Sequence, residues 1–217
     1  MKEKRLRRYF LTCLNKYRIA GLFTIETNSF ALIGELLNKI LDEAIREKDF
    51  ESTKFCMILS QTFYKAGSDP LVPRIFLQQA IESHDIWKRL EFWEGIIKYS
   101  IQEELHNKKS FQDVESPDEK QIRVQSIAFG QLLSFTFNML SFEIPKEKVR
   151  ESILVSCELY KLPEELSSQI LKSIDDYSSS IDQQVKMDII DDNLSVISND
   201  INDKIVYSFN LGFKLFE

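Results

Sequence analysis

Glycine is scarce in this 217-residue chain, with six residues in all, and no two of them lie within six residues of each other. Phosphate-binding loops and dinucleotide fingerprints need several glycines in one short turn, because only then can the backbone approach a phosphate closely. The glycine spacing therefore excludes the common nucleotide-binding loops.

Histidine and cysteine are also scarce: the chain has His84 and His106, and Cys13, Cys56 and Cys157. Three widely spaced cysteines are typical of reduced thiols in a cytoplasmic protein, not of a disulfide framework or a zinc site. No nucleophile stands at a fixed spacing from either histidine. The sequence predicts no catalytic residue, no metal site and no cofactor, and hence a protein that is not an enzyme.

Long hydrophobic runs are missing as well. No stretch approaches the roughly 18 uncharged apolar residues of a transmembrane helix, and no apolar run of about seven residues follows the basic N-terminus as it would in a signal peptide. These absences favour a soluble cytoplasmic protein.

Charge is unevenly distributed along the chain. The net charge is −6, whereas residues 1–18 hold seven bases against one acid and carry +6, so residues 19–217 carry −12. Nucleic-acid binding needs a broad basic surface, which one short segment does not provide. No nucleic-acid partner is therefore expected.

Apolar residues recur at spacings of three and four along most of the chain, a pattern typical of amphipathic helices. All five prolines stand where helices would begin, and Ser116-Pro117-Asp118-Glu119 combines a capping box with proline at the first helical position. Strand-like alternation is almost absent before residue 200. The sequence predicts an all-α protein, a compact irregular bundle of about eight helices.

The same punctuation predicts individual helix boundaries. The second helix is expected to be capped by residues 27–29, the third to begin after Lys48-Asp49 and to end at Gly67, and a further helix to begin between Pro73 and Ile75. Two long helices are predicted over residues 86–106 and 119–142. The first helix, residues 4–18, is predicted to expose most of its bases and to bury Leu6, Phe10, Cys13, Leu14 and Tyr17.

Composition changes near residue 178. Residues 178–203 are rich in Ser, Asp and Asn and poor in aromatics, so they cannot bury enough area to offset the entropy of ordering, whereas residues 205–217 are strongly apolar again. We therefore expect a helical interaction domain over residues 1–177. An acidic, partly mobile tail follows over residues 178–217 and ends in an apolar segment that docks on the body or on a partner.

Three aromatic stretches carry a family resemblance. They are Gln61-Thr62-Phe63-Tyr64-Lys65, Ile86-Trp87-Lys88-Arg89-Leu90-Glu91-Phe92-Trp93 and Phe129-Gly130-Gln131-Leu132-Leu133-Ser134-Phe135-Thr136-Phe137-Asn138-Met139. In order and spacing they resemble the helical domain of the SET-binding-factor proteins, which are DENN-bearing and myotubularin-related, and that of a small stand-alone cytosolic protein of nervous tissue. The likeness covers residues 5–175 or thereabouts.

This resemblance implies a non-catalytic helical module in proteins of membrane traffic and cytoskeletal signalling. The chain departs from the large relatives because it carries no DENN or phosphatase-like region, so the resemblance does not extend to an exchange-factor role. The acidic tail has no counterpart in the resemblance.

The densest aromatic cluster surrounds Trp87 and Trp93, on a helix that is apolar over much of its circumference. Core packing is the favoured interpretation, and an aromatic cage for a partner is the alternative. Gly95 and Gly130 lie inside helical patterns and are expected to mark close helix crossings. His84 is expected to cap a helix or lie at the surface.

Basic side chains are the candidates for partner contact. Arg74, Lys88 and Arg89 could reach a phosphate or carboxylate on a partner, since the planar fork of arginine suits such groups; the alternative is a solvated helix face. The basic residues of the first helix could contact anionic lipid or an acidic partner, or the helix could pack on the body and face the acidic tail. These residues are Lys4, Arg5, Arg7 and Arg8.

The sequence therefore favours an adaptor or scaffold that binds protein partners. The alternatives are a regulator of small GTPase turnover, acting through an arginine or by promoting exchange, and a peripheral protein with weak contact to anionic membranes through the first helix.

Overall fold

The computed structural model describes the backbone over residues 3–65, 74–108 and 116–190, and side chains over residues 3–65, 74–107 and 116–177. Within these ranges the chain forms eight α-helices, one 3₁₀ helix and three strands of two residues each, which confirms the predicted all-α class and helix number. The elements are α1 (Lys4–Ile19), β1 (Thr24–Ile25), α2 (Thr27–Glu47), α3 (Phe50–Thr62), β2 (Tyr64–Lys65), β3 (Ile75–Phe76), α4 (Gln78–Ile81), the 3₁₀ helix η1 (Asp85–Lys88), α5 (Leu90–Lys108), α6 (Pro117–Ser141), α7 (Lys146–Leu159) and α8 (Glu164–Ile190).

The chain divides into two compact units, Met1–Tyr99 and Ser100–Glu217. In the first unit, α1 and α2 pack against α3, and α4 packs against α2 and α3. In the second unit, α6, α7 and α8 pack against one another.

The core of the first unit is built by apolar residues that share one helix face. On α2, Leu37, Ile40, Leu41 and Ala44 are fully buried at spacings of three and one, which is the stripe that periodicity predicts. The link to α3 also follows the prediction: Lys48 is left-handed with φ 51° and ends α2. Glu26, whose side chain makes no capping bond, stands at the N-cap of α2 in place of the predicted residues 27–29.

A small three-stranded sheet was not predicted. Strand β1 pairs in parallel with β2, and β2 pairs antiparallel with β3. Two predictions were therefore wrong: α3 ends at Thr62, not at Gly67, and Ile75–Phe76 is a strand that precedes α4. Since each strand has only two residues, no alternation exists in the sequence to reveal it.

The buried, extended Phe63 shows why α3 stops where it does. Its carbonyl accepts from the Leu77 N–H at 2.9 Å, and the Tyr64 N–H donates to the Phe23 carbonyl at 3.0 Å. Hydrogen bonds to distant parts of the chain replace those that another helical turn would have made.

The helix predicted over residues 86–106 consists of two pieces, because Arg89 is extended between η1 and α5. Core packing of the tryptophans is confirmed, since both are buried with ring centroids 5.5 Å apart. The Trp87 indole N–H donates to the Ile81 carbonyl at 2.8 Å, and the Trp93 indole N–H donates to the Trp87 carbonyl at 2.7 Å. Both polar ring atoms are thus satisfied inside the core.

The two glycines singled out in the sequence differ in role. An added Cβ on Gly95 would overlap the ring of Phe50, so this glycine does allow a close approach. Gly130 is exposed and has open space where a Cβ would lie, so the prediction of a close crossing there was wrong. Sequence reasoning missed Gly34, where a Cβ would come within 2.9 Å of the Ala80 methyl carbon.

Helix α6 of the second unit begins with the predicted capping box. The Ser116 hydroxyl oxygen accepts from the Glu119 N–H at 3.3 Å, and the Glu119 carboxylate accepts from the Ser116 N–H at 2.9 Å. At the other end, the α8 backbone continues as a helix to Ile190, so residues 178–190 of the predicted tail are helical. The remainder, residues 191–217 with their apolar segment, lies outside the described residues.

Candidate partner-binding surface

Helix α1 buries a different face from the one that periodicity predicts. Arg7 and Leu11 are buried, whereas Leu6, Tyr9 and Tyr17 are 53%, 71% and 57% exposed. The prediction that Leu6 and Tyr17 lie in the core was therefore wrong. A basic residue occupies the inner face, which hydrophobicity alone does not reveal.

Arg7 can be buried because two carboxylates meet it. Its Nη2 donates to a carboxylate oxygen of Glu47 and to Asp49 Oδ2, the latter at 3.3 Å. Burial by itself lowers the pKa of Arg7, but its hydrogen bonds to these two acids outweigh that effect and raise the pKa above its ordinary value. Arg7 therefore lies within the N-terminal unit, and we exclude it from the surface contacts predicted for this helix.

Asp49 joins this ion pair to the start of α3. Its Oδ1 accepts from the Ser52 N–H at 3.3 Å and its Oδ2 from the Ser52 hydroxyl at 2.9 Å, so the same carboxylate caps α3. Lys4 Nζ lies 3.8 Å from Asp49 Oδ1. Burial tends to raise the pKa of Asp49, but hydrogen bonds from Ser52 and the nearby cations hold it below its ordinary value.

The other predicted bases of α1 lie at the surface. Arg8 binds Glu51 through two hydrogen bonds, Nε to Oε1 at 3.0 Å and Nη2 to Oε2 at 2.5 Å. Arg5 is exposed, as is Lys16 farther along the helix. A shallow pocket of about 420 Å³ lies along this side of α1. Its lining residues are Lys4, Arg5, Arg8, Tyr9 and Thr12.

We call the exposed surface formed by Arg5, Leu6, Tyr9, Lys16 and Tyr17 the α1 outer face. Sequence reasoning missed it because apolar residues lie on both sides of this helix. The signal that could have revealed it is Leu11, which stands four residues from Arg7 and marks the buried stripe.

The three bases predicted to contact a partner have different surroundings. The Arg74 guanidinium lies over the Tyr64 ring, 4.8 Å from its centroid, in a cation–π contact. Lys88 Nζ lies 2.9 Å from Asp85 Oδ1, and this hydrogen bond lowers the pKa of Asp85. Arg89, the extended residue between η1 and α5, is exposed. Each is held at the surface of the first unit by a different local contact or turn.

His84 takes the capping role predicted for it. Its Nδ1 accepts from the Ile86 N–H at 3.2 Å at the start of η1, and its Nε2 lies 3.3 Å from Asp42 Oδ1. His106 is exposed near the end of α5. Cys56 is fully buried, and burial raises the pKa of its thiol.

Among the side chains that the structure describes, no group of three or more His, Cys, Asp and Glu residues is placed to hold a metal ion.

Helix α7 of the second unit carries another exposed apolar surface. Leu154, Val155 and Leu159 are exposed there beside Glu151 and Glu158, and Leu159 reaches 65% exposure. We call these five residues the α7 outer face. Apolar contact surfaces of this kind mark sites of protein interaction when they are contiguous.

A family model described as SBF2, myotubularin protein, matches residues 1–196 of the chain. The chain belongs to this family, the myotubularin-related SET-binding factors. The resemblance carried by the three aromatic stretches is thereby confirmed.

Membership in the SET-binding-factor family favours a non-catalytic role in protein interaction, because this is a catalytically inactive, myotubularin-related family. No curated protein and no solved structure matches the chain. No helix in the described part of the chain combines the length and the apolarity needed to cross a bilayer.

Proposed function

We propose that this SET-binding-factor chain is a non-enzymatic adaptor or scaffold that binds protein partners in the cytoplasm, in membrane traffic or cytoskeletal signalling. The observation that carries the proposal is the gathering of large apolar side chains on exposed helix faces, with Tyr9 71% exposed on α1 and Leu159 on α7. Tyrosine and arginine are enriched among the residues that dominate binding energy at protein interfaces.

The polar groups of the first unit support the same proposal, since their contacts are structural. Asp49 caps α3 and pairs with Arg7. His84 caps η1, and the two tryptophan indoles donate to backbone carbonyls. A polar group already committed to holding a helix end or a core contact is not positioned for turnover of a substrate.

The proposal is tested by reconstitution. Proteins captured from a lysate by the full chain are purified one by one and titrated against it by calorimetry. Direct binding of at least one purified protein, without consumption of a substrate, is expected. If every captured protein fails to bind in purified form, the adaptor proposal is wrong.

Regulation of small GTPase turnover is the second candidate, because Arg89 is exposed on the extended residue between two helical elements and could insert into a partner's active site. Arg74 is less available, since it packs on Tyr64. Hydrolysis and nucleotide release are measured over a panel of GTPases with Arg89→Ala and Arg74→Ala. An acceleration of about 10³-fold or more that Arg89→Ala abolishes would favour this candidate.

A further inference from the structure

We propose that the α1 outer face is the docking site for an amphipathic helix of a partner protein, and that this helix carries an apolar stripe flanked by acidic residues. The inference rests on the proposed function, because it assigns a surface and a partner chemistry to the adaptor.

Helix α1 is anchored through its inner face. Arg7 and Leu11 on its inner face are buried, and Arg7 is tied to Glu47 and Asp49 of the following helical segments. The outer face is therefore presented from a helix that is fixed from behind. A fixed helix loses little conformational freedom when a partner binds, and this favours affinity.

The exposed apolar stripe of α1 is long enough to receive a partner helix. Leu6, Tyr9 and Tyr17 follow one another along the helix and cover about 16 Å at 1.5 Å per residue. Ile19 and Leu22, farther along the chain, are exposed as well. A length of three turns suits a partner helix with anchors at spacings of three, four and seven residues. Tyrosine also supplies a large contact area with few rotatable bonds.

The charged side chains of α1 are all basic. Helix α1 contains no acidic residue from Lys4 to Ile19. Arg5 and Lys16 are exposed beside the apolar stripe. Complementary charge across an interface steers association and disfavours wrong partners. The flanks of the bound helix are therefore acidic.

The small number of available bases on α1 favours a protein partner over an anionic membrane. Membrane attraction supplies about 1 kcal/mol for each base near the lipid surface, so it needs many available bases. Arg7 is buried, Arg8 is bound to Glu51 and Lys4 lies beside Asp49. Arg18 is partly buried and donates to Asn15 Oδ1 at 2.8 Å. The two other cations of α1, Arg5 and Lys16, suffice to flank one acidic helix but would attach the chain only weakly to a membrane.

The experiment places a photo-crosslinking amino acid, p-benzoylphenylalanine, at Tyr9 or Tyr17 of the full chain expressed in cells. Matched control chains carry it at Leu154 or Leu159 on the α7 outer face. Mass spectrometry identifies the crosslinked peptides. Probes at Tyr9 and Tyr17 are expected to crosslink one protein segment with apolar residues at helical spacing and an excess of Asp and Glu.

The segment is then synthesised as a peptide and titrated against the purified chain. The Arg5→Glu, Lys16→Glu double variant is expected to bind it about tenfold or more weakly, since each exposed pair is replaced by a repulsion. Unchanged fluorescence of the buried Trp87 and Trp93 verifies that the variant is folded. Replacing a glutamate of the peptide by lysine should also weaken its binding to the parent chain.

Four results would overturn the inference. Crosslinks from the α7 positions alone would leave the adaptor proposal standing but place its site elsewhere, and crosslinks from neither face would count against both. Crosslinks from α1 to basic segments, to the acidic tail of the same chain or to a second copy of this chain would refute the acidic-helix partner. Retention by phosphatidylcholine vesicles only when they contain phosphatidylserine, lost in the double variant without any protein crosslink, would assign the face to lipid.

Discussion

Replacing Arg7 by methionine should destabilise the N-terminal unit much more than the same replacement at its neighbour Arg8. Arg7 is fully buried, and its removal leaves the buried Asp49 carboxylate without its nearest cation. Arg8 instead forms a surface ion pair with Glu51, and its side chain is 61% exposed. The two variants remove similar groups from adjacent positions on one helix.

The expected magnitudes follow from these surroundings. Removing one partner of a buried ion pair costs about 3–5 kcal/mol. The lower end applies here, because Glu47 is partly exposed and can hydrate, and Lys4 still lies 3.8 Å from Asp49. We therefore expect a loss of about 3 kcal/mol for Arg7→Met and of at most about 1 kcal/mol for Arg8→Met.

Urea denaturation followed by tryptophan fluorescence measures this difference directly. Trp87 and Trp93 are both buried in the first unit, so their emission reports the unfolding of that unit. With a slope of about 2 kcal/mol per molar urea, Arg7→Met should lower the midpoint by about 1.5 M. Circular dichroism, recorded in parallel, follows the helices of both units.

A second substitution tests the reason for the loss. Asp49→Asn in the Arg7→Met background should restore part of the stability, because no uncompensated buried charge then remains. Equal midpoints for Arg7→Met and Arg8→Met would refute the account of a buried ion pair. So would a further, additive loss from Asp49→Asn in the double variant.

Three other predictions concern a glycine pair, a helix cap and pH. Gly95→Ala should destabilise the fold by about 1–3 kcal/mol through overlap with Phe50, whereas Gly130→Ala should stabilise it by about 0.5–1 kcal/mol. Melting temperatures measure both effects, and a higher value for Gly95→Ala or a lower value for Gly130→Ala than for the parent chain would contradict this. Ser116→Ala should cost about 1 kcal/mol by removing the α6 cap, measured by circular dichroism in urea, and an unchanged midpoint would contradict it. The depressed pKa of Asp49 stabilises the fold above its unfolded value of about 3.9, and this contribution is lost as pH falls through the lower folded pKa. When the pH is lowered below about 4, the parent chain should therefore lose more stability than the Asp49→Asn variant does. Parallel curves of unfolding free energy against pH for the two chains would contradict this.

Local signals predicted much of the fold. The Ser116 capping box, the restart at Asp49 and the stripe on α2 each depend on residues three or four apart, so the sequence contains the whole interaction. The burial of Trp87 and Trp93 also followed from sequence, because a helix that is apolar over much of its circumference is typical of a core position.

The candidate surface could not be predicted in the same way. Its position depends on which side of α1 faces the core, and that depends on Glu47 and Asp49, some forty residues from Arg7. The end of α3 at Thr62 likewise depends on hydrogen bonds to Phe23 and Leu77. Periodicity contains no information about such distant partners.

The sequence by itself determined the helical class, the main helix starts and the family, since these arise from short-range spacing and from aromatic side chains that must be buried somewhere. Only the tertiary structure decided that an arginine lies on the buried face of α1 and two tyrosines lie on its exposed face. The physical reason is that a buried charge is stable only beside its counter-charges, and these meet Arg7 only when α2 and α3 pack against it.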